Sequence, residues 1–188
     1  QVYPEEDLVA LGELLEKKGK ENDRTIYLIS DEPYRKIVYD LEVPSIFKAY
    51  PHSIIVSSYS KELSLAGERI GYLAVNPDAE DADRVASAAA VVNTMLYVNA
   101  PSLIQHAVAR CQGTTVDVSI YRHRRDMLCD GLADIGYEFH VPEGAFYLFP
   151  KSPIPDDVKF TRLLKEEPIV AVQGPVFEGH GDCRLSYA

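Results

Sequence analysis

Two short runs of almost unbroken apolar and β-branched residues constrain this chain more than anything else in it. They are Thr25-Ile26-Tyr27-Leu28-Ile29-Ser30 and Ser53-Ile54-Ile55-Val56-Ser57-Ser58. Such runs fit strands buried on both faces of a parallel sheet, with helices covering each side. Both stop abruptly in polar residues. The first runs into Asp31-Glu32-Pro33-Tyr34 and the second into Tyr59-Ser60-Lys61-Glu62.

The flanking sequence supplies helices. Asp7 to Lys18 carries Leu8, Leu11, Leu14 and Leu15 at helical spacing, with acids early and Lys17-Lys18 late, as the helix dipole favours. Gly19 is the expected stop. Arg69 to Val75 reads as a third strand, closed by Asn76-Pro77. Asp78 to Val98 is Ala-rich and helical, and Asn99-Ala100-Pro101-Ser102 opens another helix. A further helical pattern runs from about Val116 to Leu132 and ends near Gly136.

Beyond it the texture changes. Tyr137 to Phe149 reads as two short strands around Pro142-Glu143-Gly144. Asp157 to Lys165 reads as a short helix, and Ile169 to Val172 and Arg184 to Tyr187 as strands. The expected architecture is α/β: a mostly parallel sheet with helices over residues 1–115, then a smaller α+β domain over residues 116–188.

Composition narrows the function. The 188 residues are 46% hydrophobic and 26% charged, a balance that excludes disordered and fibrous classes. Nineteen Lys and Arg oppose 29 Asp and Glu, for a net charge of −10. The densest basic run, Tyr121-Arg122-His123-Arg124-Arg125, is short and reads as a helix face pairing with neighbours such as Asp126. Nucleic acid is therefore not an expected partner. No stretch of eighteen apolar residues exists to span a membrane. Cys111, Cys129 and Cys183 lack ligand spacing and read as buried, reduced thiols of a cytoplasmic protein. The five histidines show no metal spacing, and His180, between two glycines, is the one to check for a site contact.

In a parallel α/β sheet, ligands bind beyond the carboxyl ends of the strands. There stand Asp31 and Tyr34, then Ser58 and Lys61, with Arg69 eight residues on. Taken singly each has an ordinary explanation: a turn residue, a packed ring, a surface lysine, a surface ion pair. Together they could hold a ring nitrogen, an aldehyde and a phosphate. An amine of lowered pKa forms a Schiff base, a carboxylate holds a protonated ring nitrogen, and a guanidinium fork with a hydroxyl holds phosphate. Pyridoxal phosphate (PLP) carries all three groups.

The stretch Ser57-Ser58-Tyr59-Ser60-Lys61-Glu62-Leu63-Ser64-Leu65-Ala66-Gly67-Glu68-Arg69-Ile70-Gly71-Tyr72 resembles the cofactor-lysine signature of class I/II aminotransferases, which are fold-type I PLP enzymes. Ile29 to Arg35 resembles the family's preceding segment. Gly144 to Pro150 and Cys183 to Ala188 resemble two segments of its small domain, in the same order.

The resemblance implies a role for each residue. Lys61 would form the Schiff base and move the substrate proton, and Asp31 would pair with the pyridine nitrogen. Tyr34 would hydrogen-bond the phenolic oxygen, and Ser58 and Arg69 would hold the phosphate. Arg184 would clamp the substrate carboxylate, and Gly67 would ease the turn near the phosphate. The implied activity is amino transfer between an α-amino acid and a 2-oxo acid, in a homodimer. The wording around Lys61 leans toward the aspartate-aminotransferase-like branch. A lyase of the same fold, like an aminocyclopropane-carboxylate synthase or a β-lyase, is the main alternative. A non-enzymatic regulatory domain of this type is another.

Family members are about twice this length, and no Met precedes Gln1-Val2-Tyr3. The sequence therefore reads as a C-terminal portion of such an enzyme. It lacks the glycine-rich phosphate turn and the ring-stacking aromatic, and is expected to be inactive and self-associating by itself.

Overall fold

A computed structural model describes residues 2–167, 169–177 and 181–188. The chain divides into two compact units, Val2–Val116 and Asp117–Ala188.

The first unit opens with helix α1 (Glu5–Glu21), which has Glu5, Glu6 and Asp7 in its first turn and Lys18 and Lys20 in its last. The helix runs two residues past Gly19. Asn22 caps it instead, its N–H reaching the Lys18 and Gly19 carbonyls. A cap at 22 closes the last turn without the left-handed glycine that the sequence suggests.

Strand β1 (Leu28–Asp31) pairs in parallel with β2 (Ser53–Ser58), and β2 pairs antiparallel with β3 (Gly71–Val75). The three form one sheet in sequence order. Short helix α2 (Ile46–Ala49) lies between β1 and β2, and the single turn α3 (Tyr59–Glu62) follows β2. Helices α4 (Ala82–Leu96) and α5 (Ser102–Arg110) complete the unit.

The strands depart from the sequence reading in two ways. First, β1 begins at Leu28, since Thr25 and Tyr27 turn their hydroxyls to Glu80. Second, β1 is not buried on both faces. Ile29 is 62% exposed, and Tyr72 and Leu73 of β3 are exposed too. The core of this unit lies on the other side, in Ile37, Tyr39, Ile46, Tyr50, Ile54 and Ile70. Tyr50 is pinned there, its hydroxyl donating to the Ile26 carbonyl at 2.7 Å. Burial raises its pKa above the ordinary tyrosine value, helped by the charge of Glu16.

Helix α4 buries no residue at all, although a third of its sequence is apolar and bulky. Val91, Val92, Met95 and Leu96 are exposed, as are Tyr97, Val98 and Leu103 just beyond. It starts at Ala82 rather than Asp78, because residues 77–81 form turns closed by Asp78 N–H to the Asn76 side chain and Ala79 N–H to the Asn76 carbonyl.

The second unit begins with helix α6 (Val118–Asp134), whose N-cap Asp117 accepts from the Ser119 N–H. The Ser119 hydroxyl, with that backbone bond, holds the Asp117 carboxyl below its ordinary pKa. Arg125 pairs with Asp126 at 2.7 Å, as the sequence suggests, but its side chain is largely buried and also donates to the Pro142 carbonyl at 3.0 Å. A three-stranded antiparallel sheet in the order β4 (Tyr147–Leu148), β6 (Cys183–Ser186), β5 (Val172–Gln173) packs near α7 (Asp157–Leu164). The expected strand pair over Tyr137 to Phe149 reduces to β4. Residues 137–146 are irregular, apart from a bridge residue at Gly144 and a turn that places Ala145 at φ 57°. Phe146 and Leu148 are buried and Tyr121 stacks on Phe146.

All three cysteines are free thiols. Cys129 and Cys183 are buried, while Cys111 is exposed at the end of α5, against expectation. Burial pushes the Cys183 thiol up to about 11, and raises Cys129 as well. Among the described residues no cluster of His, Cys, Asp or Glu could hold a metal ion. His180 lies outside them. No helix among the described residues is long and apolar enough to cross a membrane.

Candidate active site

β1 and β2 run side by side and end together. Asp31 closes β1 opposite Val56, and the ladder continues one residue further, with Glu32 N–H donating to the Val56 carbonyl at 2.8 Å. Ser58 closes β2 opposite Gly71, the first residue of the antiparallel β3. The segment before β3 therefore returns to the same edge. Asp31, Tyr34, Ser58, Lys61 and Arg69 all lie along it.

The turn after β1 is firmly held. Arg35 pairs with Glu32 at 2.8 Å and donates to the carbonyls of Val43 and Pro44 at 2.8 and 3.2 Å. The Ser57 hydroxyl donates to the Glu32 carbonyl at 2.9 Å, joining the end of β2 to this turn. Ile37 N–H closes on the Tyr34 carbonyl at 2.8 Å, and the Ile37 side chain is fully buried. Tyr34 thus stands on an anchored loop.

Lys61 sits on α3, directly beyond Ser58, with its Nζ 6.0 Å from the centre of the Tyr34 ring. A single helical turn cannot fix a side chain by itself, and here tertiary bonds hold it. The next residue, Glu62, is 8% exposed at its side chain and pairs with Lys36 at 3.2 Å. Its carbonyl accepts from Val116 N–H at 2.8 Å and from the Thr115 hydroxyl at 3.1 Å. Glu62, Lys36 and Ser57 were not singled out by the sequence. The only signal was a charged residue directly beside each of two candidate turns.

Arg69 adopts a left-handed conformation, φ 53°, and is exposed. One arm of its guanidinium donates to the Ala66 carbonyl of its own turn at 2.8 Å. Gly67, expected to ease this turn, does nothing that needs a glycine. A Cβ there would meet open space. The glycine that matters is Gly71, where a Cβ would collide with the Ser57 carbonyl and press on Ser58. It lets β3 lie close against the end of β2.

Arg184 belongs to the second unit, on β6, where its guanidinium lies 4.5 Å over the Tyr147 ring. The contact is a cation–π interaction that keeps the guanidinium beside β4. Tyr187 N–H bonds the Phe146 carbonyl at 3.1 Å and completes the pairing of these two segments.

The donor set on the first unit fits pyridoxal phosphate. An amine, a phenol, a carboxylate, a hydroxyl and a guanidinium share one strand edge, and each matches one group of that molecule. The carboxylate and the guanidinium are solvent-exposed there, so a ligand can reach them.

The aminotransferase class I and II family model matches residues 1–188. An aspartate aminotransferase of Thermotoga maritima is 33% identical, covered over 100% of this chain and 48% of its own. An aspartate/prephenate aminotransferase of Thermus thermophilus is 35% identical, with coverage of 100% and 48%. Among solved structures, an amino transferase of Eubacterium rectale superposes with a TM-score of 0.95 at 44% identity, over 100% of this chain and 48% of that one. The Thermotoga maritima aspartate aminotransferase superposes with a TM-score of 0.83 over 98% of this chain and 48% of that one. The chain spans about half the length of the curated relatives it matches. Its α/β fold is the corresponding part of an aspartate-aminotransferase fold, and the chain belongs to the class I and II aminotransferases.

Proposed function

We propose that this chain carries the lysine-bearing half of a PLP-dependent aminotransferase that moves an amino group between an α-amino acid and a 2-oxo acid. The observation that carries the reading is the position of Lys61. Its amine faces the Tyr34 ring at the carboxyl ends of β1 and β2, within a family match that spans the whole chain.

Bound pyridoxal phosphate supplies an aldehyde that takes up the amino group and a ring that draws off electron density. The chain's own residues do the rest. The Lys61 amine would hold the aldehyde end and would carry a proton away from the substrate Cα. The Asp31 carboxylate keeps a proton on the ring nitrogen. The Tyr34 hydroxyl donates to the phenolic oxygen. Ser58 and Arg69 would hold the phosphate, with one arm of the Arg69 guanidinium kept on the Ala66 carbonyl. Arg184 offers two N–H groups to the substrate carboxylate, a fork that a lysine lacks.

Residues 1–115 would be the C-terminal portion of the large PLP-binding domain and residues 116–188 a truncated small domain. An aspartate-like substrate is favoured by the aspartate aminotransferases among the relatives. A homodimer is the assembly that the family resemblance implies, and the three free thiols favour a reducing, cytoplasmic setting.

Borohydride reduction of the intact polypeptide with pyridoxal phosphate bound is expected to leave a pyridoxyl group on Lys61, read by peptide mass spectrometry. A pyridoxyl group on another lysine instead overturns the reading.

A further inference from the structure

A buried carboxylate beside the lysine has no part in the chemistry above. Glu62 is 8% exposed at its side chain, and an ionised group so enclosed must be paired. Its partner is Lys36, 26 residues earlier in the chain and 3.2 Å away.

Position makes the pair informative. Lys36 lies two residues after Tyr34, and Glu62 one residue after Lys61. The ion pair therefore bridges the two turns that bear the phenol and the amine. Each turn is also tied down independently. The first is held by Arg35–Glu32 and by Ser57 on the Glu32 carbonyl. The second is held by Thr115 and Val116 on the Glu62 carbonyl. Lys36–Glu62 is a side-chain ion pair that joins one turn to the other.

We infer that Glu62 and Lys36 are positioning residues, which set the approach of the Lys61 amine to the Tyr34 ring and to the cofactor's aldehyde. The inference rests on the PLP reading above. The pair touches neither substrate nor cofactor, and it acts through the spacing of the two turns. An isolated α3 turn would let Lys61 sample many directions. With the pair in place, the lysine backbone is clamped from the side of the Tyr34 loop.

The test uses the intact polypeptide, pyridoxal phosphate as the probe, and timed borohydride trapping. The Lys61 amine condenses with the aldehyde, a C=N bond replacing C=O as water leaves, and borohydride adds hydride to that bond. Mass spectrometry then gives the pyridoxyl yield at Lys61 relative to all other lysines. Lys36→Met and Glu62→Gln are expected to lower that relative yield about tenfold, the size of coupling common for charged groups in contact. Lys36→Arg, which keeps the charge, is expected to retain it. Lys18→Met, which removes an exposed pair with Glu21 on α1, is expected to trap like the native chain.

Thermal melting separates this effect from simple unfolding. Should Glu62→Gln fail to fold, Lys36→Met reads the same contact, because the Lys36 side chain is 38% exposed and its loss leaves no buried hole. Native-like trapping at Lys61 in a folded Lys36→Met variant overturns the inference and leaves the PLP reading standing. A Lys36→Arg yield as low as that of Lys36→Met overturns it too. Trapping spread evenly over the lysines of the native protein overturns the PLP reading itself, and this inference with it.

Discussion

The lysine end of the first sheet and the helices α4 and α5 sit in the same unit yet are built on opposite terms. At the lysine end, polar groups are drawn inward and matched. Ser57 and Glu62 are both buried, and each has a named hydrogen-bond partner. On α4 the apolar groups face outward, with Met95 80% exposed and Leu96, Val91 and Val92 close behind. Burial is ordinarily what stabilises a helix, so the lysine end is locally self-sufficient and α4 is not. Geometry at the lysine end is carried by short-range polar bonds, whereas the apolar side chains of α4 are left uncovered among the described residues.

The sharpest way to break this contrast is at Lys61. Lys61→Ala in the intact polypeptide is expected to cut transamination by roughly 10⁴-fold, the upper range for removal of a positioned proton-transfer group, while the melting temperature stays near native. Steady-state assays with amino and oxo acid pairs check it, and wild-type turnover in that variant refutes the assignment.

Next comes the close approach of β3 to β2. Gly71→Ala is expected to cost about 2 kcal/mol, as overpacking against a fixed carbonyl does. Gly67→Ala should change stability by under about 0.5 kcal/mol, since its surroundings are open. Denaturant titration of the two variants compares them directly. Equal losses would mean that the tight spot is not where the structure puts it.

A smaller effect on stability, but a plain one on assembly, is expected from α4. Met95→Glu should leave unfolding free energy within about 0.5 kcal/mol of native and reduce self-association of the 188-residue chain by light scattering. A native chain that scatters as a clean monomer removes the basis for the contrast. The same chain alone is expected to hold pyridoxal phosphate poorly, and a stable visible absorbance band at micromolar affinity contradicts that.

The thiols give the mildest test. At pH 8, iodoacetamide should label exposed Cys111 and spare Cys183, whose thiol is pushed up to about 11 by burial. Because the folded value is raised, the neutral thiol favours the fold fully below its ordinary value of 9.0, and that contribution fades as pH climbs toward 11. Cys183→Ala should flatten the stability decline across that window.

Much of this was legible from the residues. Dense β-branched runs marked β1 and β2, and their polar ends marked the site, because strand burial and strand-end chemistry are both local signals. Other features were not local. Nothing in Gly71–Val75 distinguishes a parallel from an antiparallel partner, and the apolar content of β1 does not reveal that Ile29 faces outward. Helix α1 overran Gly19 because an Asn three residues later could supply the cap. Glu62 and Lys36 each looked like surface charge. Only folding, which closes a loop of 26 residues, makes them a part-buried pair.

The bonds from Thr115 and Val116 to the Glu62 carbonyl have a practical consequence for chimeras. The two compact units meet between Val116 and Asp117, so this is the natural place to exchange one unit for that of a relative. The last two residues before the seam, however, serve the lysine turn. A graft that begins its foreign sequence at Asp117 keeps that stitch intact and also brings its own helix cap for α6. A graft that begins two residues earlier swaps out the Thr115 hydroxyl, and would disturb Lys61 from a splice point chosen to leave it alone.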